Sequence, residues 1–382
     1  MSSLRLKEQD ALIDLLRKEQ LSRGTVGAFA HVRALIAAHA EAAPDAATEL
    51  RRCCPHLGRL FHPLDLSAAL LEFDERHSRV ISRARVPPSF SECRQIINIA
   101  TIHSCAPSLQ LLTFDADDTL YSDGGVLQFD APIIPYVVRL LKRGVAVCVV
   151  TAAAYPGEPT RYEARFAGLL AALAFAIEAG APKEPLLSRF LIMGGQCNYL
   201  LRCACSEAGP GAHTRVFLET VEDEAWKDFR GVRWDHTEVA ALLDVAEGAL
   251  RRTLGALRLG ERTHLIRKER AVGVVPRPGG PPLAYEVLEE LALATQAALR
   301  AHGGRVPCCA FNGGRDVFVD VGTKALGIRA LQGLLGAQPG SSLHVGDRFT
   351  QTGNDVSARD VASTLCVSRA AGWEGAAPAA RC

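Results

Sequence analysis

Asp115 and Asp117 lie on one short run, Asp115-Ala116-Asp117-Asp118-Thr119, and far downstream Gly346-Asp347-Arg348-Phe349 leads into Gly353-Asn354-Asp355. Phosphate esters resist attack because they are already anionic, so cleaving them takes a placed nucleophile, cations and an acid for the leaving oxygen. These residues can supply those parts. Asp115 would attack phosphorus and form an aspartyl phosphate, while Asp117 would protonate the departing alkoxide and later deprotonate the hydrolytic water. Magnesium prefers hard oxygen ligands, and Asp115, the backbone carbonyl of Asp117 and Asp347 would hold it, with Asp355 as a further ligand or the holder of a ligand water. Thr151 would donate its hydroxyl and neighbouring N–H groups to a phosphate oxygen, and Lys324 would add the remaining positive charge.

The elements that must position these groups are legible as apolar runs. Leu109 to Phe114 ends at Asp115, Val145 to Val150 ends at Thr151, and Ser342 to Val345 runs into Gly346-Asp347. Each reads as a buried parallel strand with its chemistry at the carboxyl end, where open α/β sheets keep their sites. Ile133 to Leu141 has helical spacing and Gly144 is its C-terminal stop, which completes a strand, helix, strand unit. A last short strand is expected at Thr364 to Val367.

Between Thr151 and the segment Val317 to Lys324 the chain is far longer than a crossover requires, so it predicts an inserted domain. Within it Phe190 to Met193, His213 to Val221, Thr263 to Val275 and Val306 to Phe311 read as strands, and Val239 to Leu257 and Ala284 to His302 as helices. The expected organisation is a helical N-terminal region over 1–107, a first core part over 108–154, an α/β cap over 155–321 and a second core part over 322–382. Pro44, Pro55, Pro63 and Pro87-Pro88 would break the N-terminal region into short helices.

Composition limits the partners. Lys and Arg number 43 against 42 Asp and Glu, for a net charge of +1, which gives no bulk attraction to nucleic acid or a membrane surface. Met1 to Gln20 lacks a continuous apolar core, and Phe166 to Ile177 is too short to span a bilayer. A soluble, cytoplasmic protein is expected. The 12 cysteines form no regular framework and read as reduced thiols, and Cys197, Cys203 and Cys205 with His213 fit no common zinc spacing.

The order Asp-x-Asp-x-Thr, strand-end Thr, Lys, then Gly-Asp with Gly-Asn-Asp resembles the motif series of the haloacid dehalogenase superfamily, a doubly wound parallel sheet with an inserted cap. Four longer stretches resemble the IMP-specific 5′-nucleotidase family: Thr113 to Gly124, Val150 to Gly157, Phe311 to Phe318 and His344 to Phe349. Phe61-x-Pro63-Leu64 and Pro87-Pro88-Ser89-Phe90 resemble it too. The resemblance implies magnesium-dependent hydrolysis of IMP to inosine and phosphate, a phosphomannomutase-like cap, a homo-oligomer, namely a tetramer, and ATP as an allosteric effector acting through the N-terminal region. It places the nucleophile at Asp115, the acid/base at Asp117, phosphate contacts at Thr151 and Lys324, and metal carboxylates at Asp347 and Asp355. Asp123 and Asp316 match positions expected to contact the nucleoside.

Two departures stand out. Ala116 and Asp118 occupy places where the family usually has Gly and an apolar residue, which predicts a tighter and more anionic nucleophile loop. The tail from Gly375 to Cys382 lacks the expected final helix. A sugar phosphatase or phosphomannomutase-like phosphotransferase is the alternative enzyme, and a catalytically silent scaffold is disfavoured because no motif position is lost. Tyr155, Tyr199 and Phe318 are aromatic candidates for the base.

Overall fold

The computed structural model describes residues 10–43, 46–54, 57–206, 213–227 and 232–367. Pro44, Pro55 and the tail from Gly375 to Cys382 lie outside these residues.

The central sheet is built from wholly buried apolar runs. β1 (Leu111–Phe114), β2 (Ala146–Val150) and β3 (Phe190–Gly194) are buried at every position. Strands apolar on both faces need cover on both faces, which is the condition of an interior parallel sheet. With β4 (Tyr199–Cys205), β5 (Val216–Val221), β10 (Ser342–Gly346) and β11 (Ser363–Cys366) they form one sheet in the order β11-β10-β1-β2-β3-β4-β5.

The chain leaves β1 towards β2 on one side and returns on the other side as β10, so the β1/β10 border is a topological switch point, where a crevice opens beyond the strand ends. The register pairs Phe114 with Val345 and with Val149. Asp115, Thr151 and Asp347 therefore emerge together.

This topology corrects the expected cap boundary at 155. Phe190–Gly194 lies parallel to β2, and β4 and β5 extend the same sheet antiparallel. Helices Pro159–Arg165 and Ala167–Glu178 form the crossover from β2 to β3. Phe190 to Met193 is a strand as expected, but with no motif at its end to tie it to the core it reads as part of the insertion.

The insertion is a second sheet, β6-β7-β9-β8, made from β6 (Thr263–Lys268), β7 (Ala271–Pro276), β8 (Cys308–Asn312) and β9 (Val317–Val321). Helices α1 (His236–Ala256) and α2 (Tyr285–His302) cover one face. Strand alternation does the sorting: Val317, Val319 and Val321 enter the core beneath these helices, while Asp316, Phe318 and Asp320 line the cavity on the opposite side. Phe318 lies against the backbone of β7 at Gly273, where any side chain would strike the ring.

After the cap, Thr323 caps α3 (Lys324–Leu335) by accepting from the Leu326 N–H, which fixes Lys324 at its first turn. The N-terminal helices, including Ala11–Glu41 and Phe90–Cys105, have their own apolar core. They cover the edge at β11: Asn98 donates to the Cys366 carbonyl at 2.9 Å, and Arg359 reaches Asp10 at 2.9 Å. Among the described residues no helix is long and apolar enough to cross a membrane.

Candidate active site

Asp115 leaves β1 with its N–H donating to the Val345 carbonyl at 2.8 Å, so the loop it opens is anchored to β10. Its carboxylate receives Lys324 Nζ at 2.7 Å, and the same ammonium contacts Asp355 at 2.5 Å. Lys324 and Asp355 are fully buried and Asp115 nearly so. Asp355 is held from every side: Oδ1 also accepts from His344 Nε2 at 2.9 Å, and Oδ2 accepts from the Arg348 N–H at 2.9 Å. Gly346 is required here because the Asp355 carboxylate occupies the place of a β-carbon.

The electrostatics follow from this triad. Burial lifts Asp115 to about 6, Lys324 opposing the shift and Asp355 adding to it. Burial disfavours the Lys324 ammonium, but Asp115 and Asp355 outweigh it and push the group up to about 12. Burial also works against the Asp355 charge, yet Lys324 and His344 hold that carboxyl well below the usual range. Removing Lys324 would leave two buried carboxylates uncompensated, at a cost of about 3 to 5 kcal/mol for a broken buried pair. Lys324 thus holds the fold together at this site.

Asp347 completes a group with Asp115 and Asp355 whose ligand atoms lie within 4.8 Å of one another. Its Oδ1 is buried without a hydrogen-bond partner, as is Asn354 Oδ1 on the same loop, while Oδ2 faces Arg348 Nε at 3.4 Å. Burial, with Asp115 and Asp355 adding to it against Arg348, raises Asp347 to about 8. An unpartnered carboxylate oxygen among hard oxygen donors fits a small divalent cation. The cysteine and histidine set Cys197, Cys203, Cys205 and His213 forms no such group among the described residues.

A stability prediction arises here. Asp115, Asp316, Asp320 and Asp347 have folded values raised to about 6, 6, 7 and 8. A raised carboxyl contributes stability that is full below its unfolded value and lost as pH rises through the folded one. The metal-free protein should therefore lose thermal stability from pH 5 to pH 8, and magnesium should raise Tm more at pH 8 than at pH 5. A Tm flat across that window, with no metal effect, would contradict this.

Asp117 accepts from the Gly124 N–H at 3.0 Å and faces Arg165 at 3.6 Å, and burial raises its carboxyl. Thr151 is buried, and its hydroxyl accepts from the Ala153 N–H at 3.1 Å. Asp115, Asp117, Thr151 and Asp316 line one cavity of about 210 Å³, walled on the cap side by Phe311, Phe318 and Lys268. Asp123 also borders it, but its carboxylate pairs with Arg315 of the cap at 3.4 Å. Of the aromatic candidates, Tyr155 and Phe318 line this cavity and Tyr199 lies outside it.

The anionic departure at Asp118 is balanced. Its backbone adopts φ 58°, tolerated by Asp, and its Oδ1 accepts from the Asp123 N–H while Arg348 Nη2 reaches Oδ2 at 3.4 Å. Sequence reasoning missed Arg165, Lys268, Asp320 and Arg348. Only Asp320 left a usable signal, through its alternation with Asp316 and Phe318.

A parallel sheet with a carboxylate triad at its switch point, covered by an inserted α/β cap, is the arrangement of a phosphohydrolase of the haloacid dehalogenase type. The sequence profile of the IMP-specific 5′-nucleotidase family matches residues 8–373, and the chain belongs to that family. It is 35% identical to IMP-specific 5′-nucleotidase 1 of Neurospora crassa, over 95% of this chain and 86% of the relative. It is 38% identical to the protein of that name from Aspergillus fumigatus, over 86% of this chain and 71% of the relative.

Solved structures agree. An IMP-bound mutant of the Plasmodium falciparum IMP-nucleotidase superposes with a TM-score of 0.81 at 30% identity, covering 96% of this chain and 95% of that one. The ATP-bound form of that protein gives 0.78 at 31% identity, covering 95% and 83%.

Proposed function

We propose that this chain is a magnesium-dependent 5′-nucleotidase that hydrolyses IMP to inosine and phosphate through an aspartyl phosphate at Asp115. The observation that carries the reading is the buried Asp115–Lys324–Asp355 triad beside the unpartnered Asp347 oxygen, with Asp115 lining a cavity that the cap roofs. Family membership and the IMP-bound relative support the choice of substrate.

The phosphate of IMP sits among Lys324, the Thr151 hydroxyl and the N–H groups that follow it. Asp115 attacks phosphorus while the bond to the nucleoside 5′-oxygen breaks, and that oxygen takes the proton held by Asp117. Asp117, now a carboxylate, removes a proton from water as the water attacks the phosphorus of the aspartyl phosphate. Phosphate departs and the Asp115 carboxylate is restored. A raised Asp117 suits a group that must first give and then take a proton. Asp115, the Asp117 carbonyl, Asp347 and Asp355 would hold magnesium, which would supply positive charge to offset that of the phosphate. The ATP-bound relative supports ATP as an effector of this chain, and a tetramer is the assembly proposed with it.

Asp316 faces the cavity from the cap and, with Asp123 at the rim, is assigned to the ribose hydroxyls. Asp316→Ala should lower kcat/KM for IMP by roughly 10-fold to 100-fold, the scale of a lost hydrogen bond to a charged group. A small aryl phosphate has no ribose and should be nearly unaffected. Equal losses on both substrates, with unchanged thermal unfolding, would remove Asp316 from nucleoside binding.

A further inference from the structure

The cap does more than roof the cavity, because it also grips the loop that carries the downstream carboxylates. Glu289 projects from α2 and is only 7% exposed. Its Oε1 accepts from Asn312 Nδ2 at 2.8 Å, at the end of β8, and from Thr352 Oγ1 at 2.6 Å, on the core loop between Asp347 and Asp355. Thr352 and Asn312 are themselves buried, at 1% and 2% exposure. Two turns along the same helix, Gln296 Nε2 donates to the Gln351 carbonyl at 3.2 Å and to the Ala310 carbonyl at 2.9 Å. The backbones join as well, the Asn312 N–H donating to the Thr352 carbonyl at 2.9 Å.

Within the loop the Gly353 N–H donates to the Thr350 carbonyl at 2.9 Å and the Asp355 N–H to the Arg348 carbonyl at 3.1 Å, while at its start Arg348 Nη2 reaches Asp118 of the core at 3.4 Å. At Gln351 and Thr352 the bonds to other segments, among the described residues, go to the cap. A purely local role for Glu289 would confine its bonds to the cap, whereas its shorter one crosses to the core.

We propose that Glu289 is a positioning residue that sets, from the cap, the backbone between Asp347 and Asp355, so that seating the cap and ordering the carboxylate loop are one event. Reacting groups lose effectiveness when displaced by as little as an ångström, which makes such a mount consequential for turnover. The inference rests on the reading of Asp347 and Asp355 as carboxylates of the working site.

The test is amide hydrogen exchange on the full chain without metal or substrate, paired with kcat/KM for IMP and for a small aryl phosphate. Glu289→Leu removes the acceptor, and Glu289→Gln keeps an oxygen that both donors can use. Thr352→Val breaks the crossing bond from the core side and spares the cap helix should Glu289→Leu fold poorly. In Glu289→Leu and Thr352→Val, exchange at the Arg348, Gly353 and Asp355 amides should rise by roughly tenfold or more, the scale of one lost hydrogen bond to a charged acceptor. Exchange in β1 and β10 should be unchanged. Both substrates should lose kcat/KM by a common factor, and Glu289→Gln should stay near wild type.

Unchanged loop exchange in both variants would overturn the proposal, and so would a loss confined to IMP, which would make Glu289 a nucleoside contact. The exchange arm needs no turnover. A loosened loop in a chain that fails to hydrolyse IMP would refute the proposed function and keep this inference, and an unchanged loop in an active enzyme would do the reverse.

Discussion

Asp115→Asn should lower IMP turnover by at least about 10⁴-fold, roughly 5 kcal/mol of transition-state stabilisation, while the protein stays folded. An amide nitrogen cannot form the aspartyl phosphate, and the amide oxygen is a poorer nucleophile than a carboxylate. The fold should tolerate the change because burial already disfavours the Asp115 charge, and an amide oxygen can still accept from Lys324 Nζ. Lys324 also keeps Asp355. Steady-state kinetics with thermal unfolding as a control decides the matter. Turnover near the wild-type rate would remove Asp115 as the nucleophile.

Asp347→Ala should raise the magnesium concentration for half-maximal activity by at least roughly 100-fold, since even outer partners of a metal ligand are worth 10- to 100-fold. The unliganded protein should behave in the opposite way. Asp347 carries a buried oxygen without a partner and a carboxyl raised to about 8, so its removal should leave metal-free Tm unchanged or higher. The rise in Tm on adding magnesium should vanish. A variant with lower metal-free Tm and an intact magnesium response would make Asp347 a structural residue and place the metal elsewhere.

The two halves of the core were legible because Asp115, Thr151 and Asp347 each follow an apolar run of interior parallel-strand type. Phe114 to Asp115, Val150 to Thr151 and Val345 to Asp347 announce both the element and its chemistry. Phe190–Gly194 is equally apolar and equally buried, but it ends in glycine, and without a side chain to mark it the strand passed for part of the cap. The cap's working face was legible only in part. Alternation along Val317–Val321 assigns Asp320 to the same face as Asp316, whereas Lys268 and Arg165 reach the cavity from segments whose sequence carries no mark of it.

Long-range pairings were beyond local reasoning for the same cause. Asp118 reads as an added negative charge until the β1/β10 border brings Arg348 within 3.4 Å, and nothing in the spacing of Ala284 to His302 brings Glu289 against Thr352. Both depend on which loops the topology sets side by side. The spacing of residues along the chain does not encode that directly.

Phosphate release by the purified full-length protein from IMP, GMP, AMP and mannose phosphates, each with and without magnesium, tests the central claim most directly. The account predicts rapid release from IMP, much slower release from the other substrates, and loss of activity when the metal is chelated. Preferred hydrolysis of a mannose phosphate, or IMP hydrolysis that persists undiminished in chelator, would contradict it.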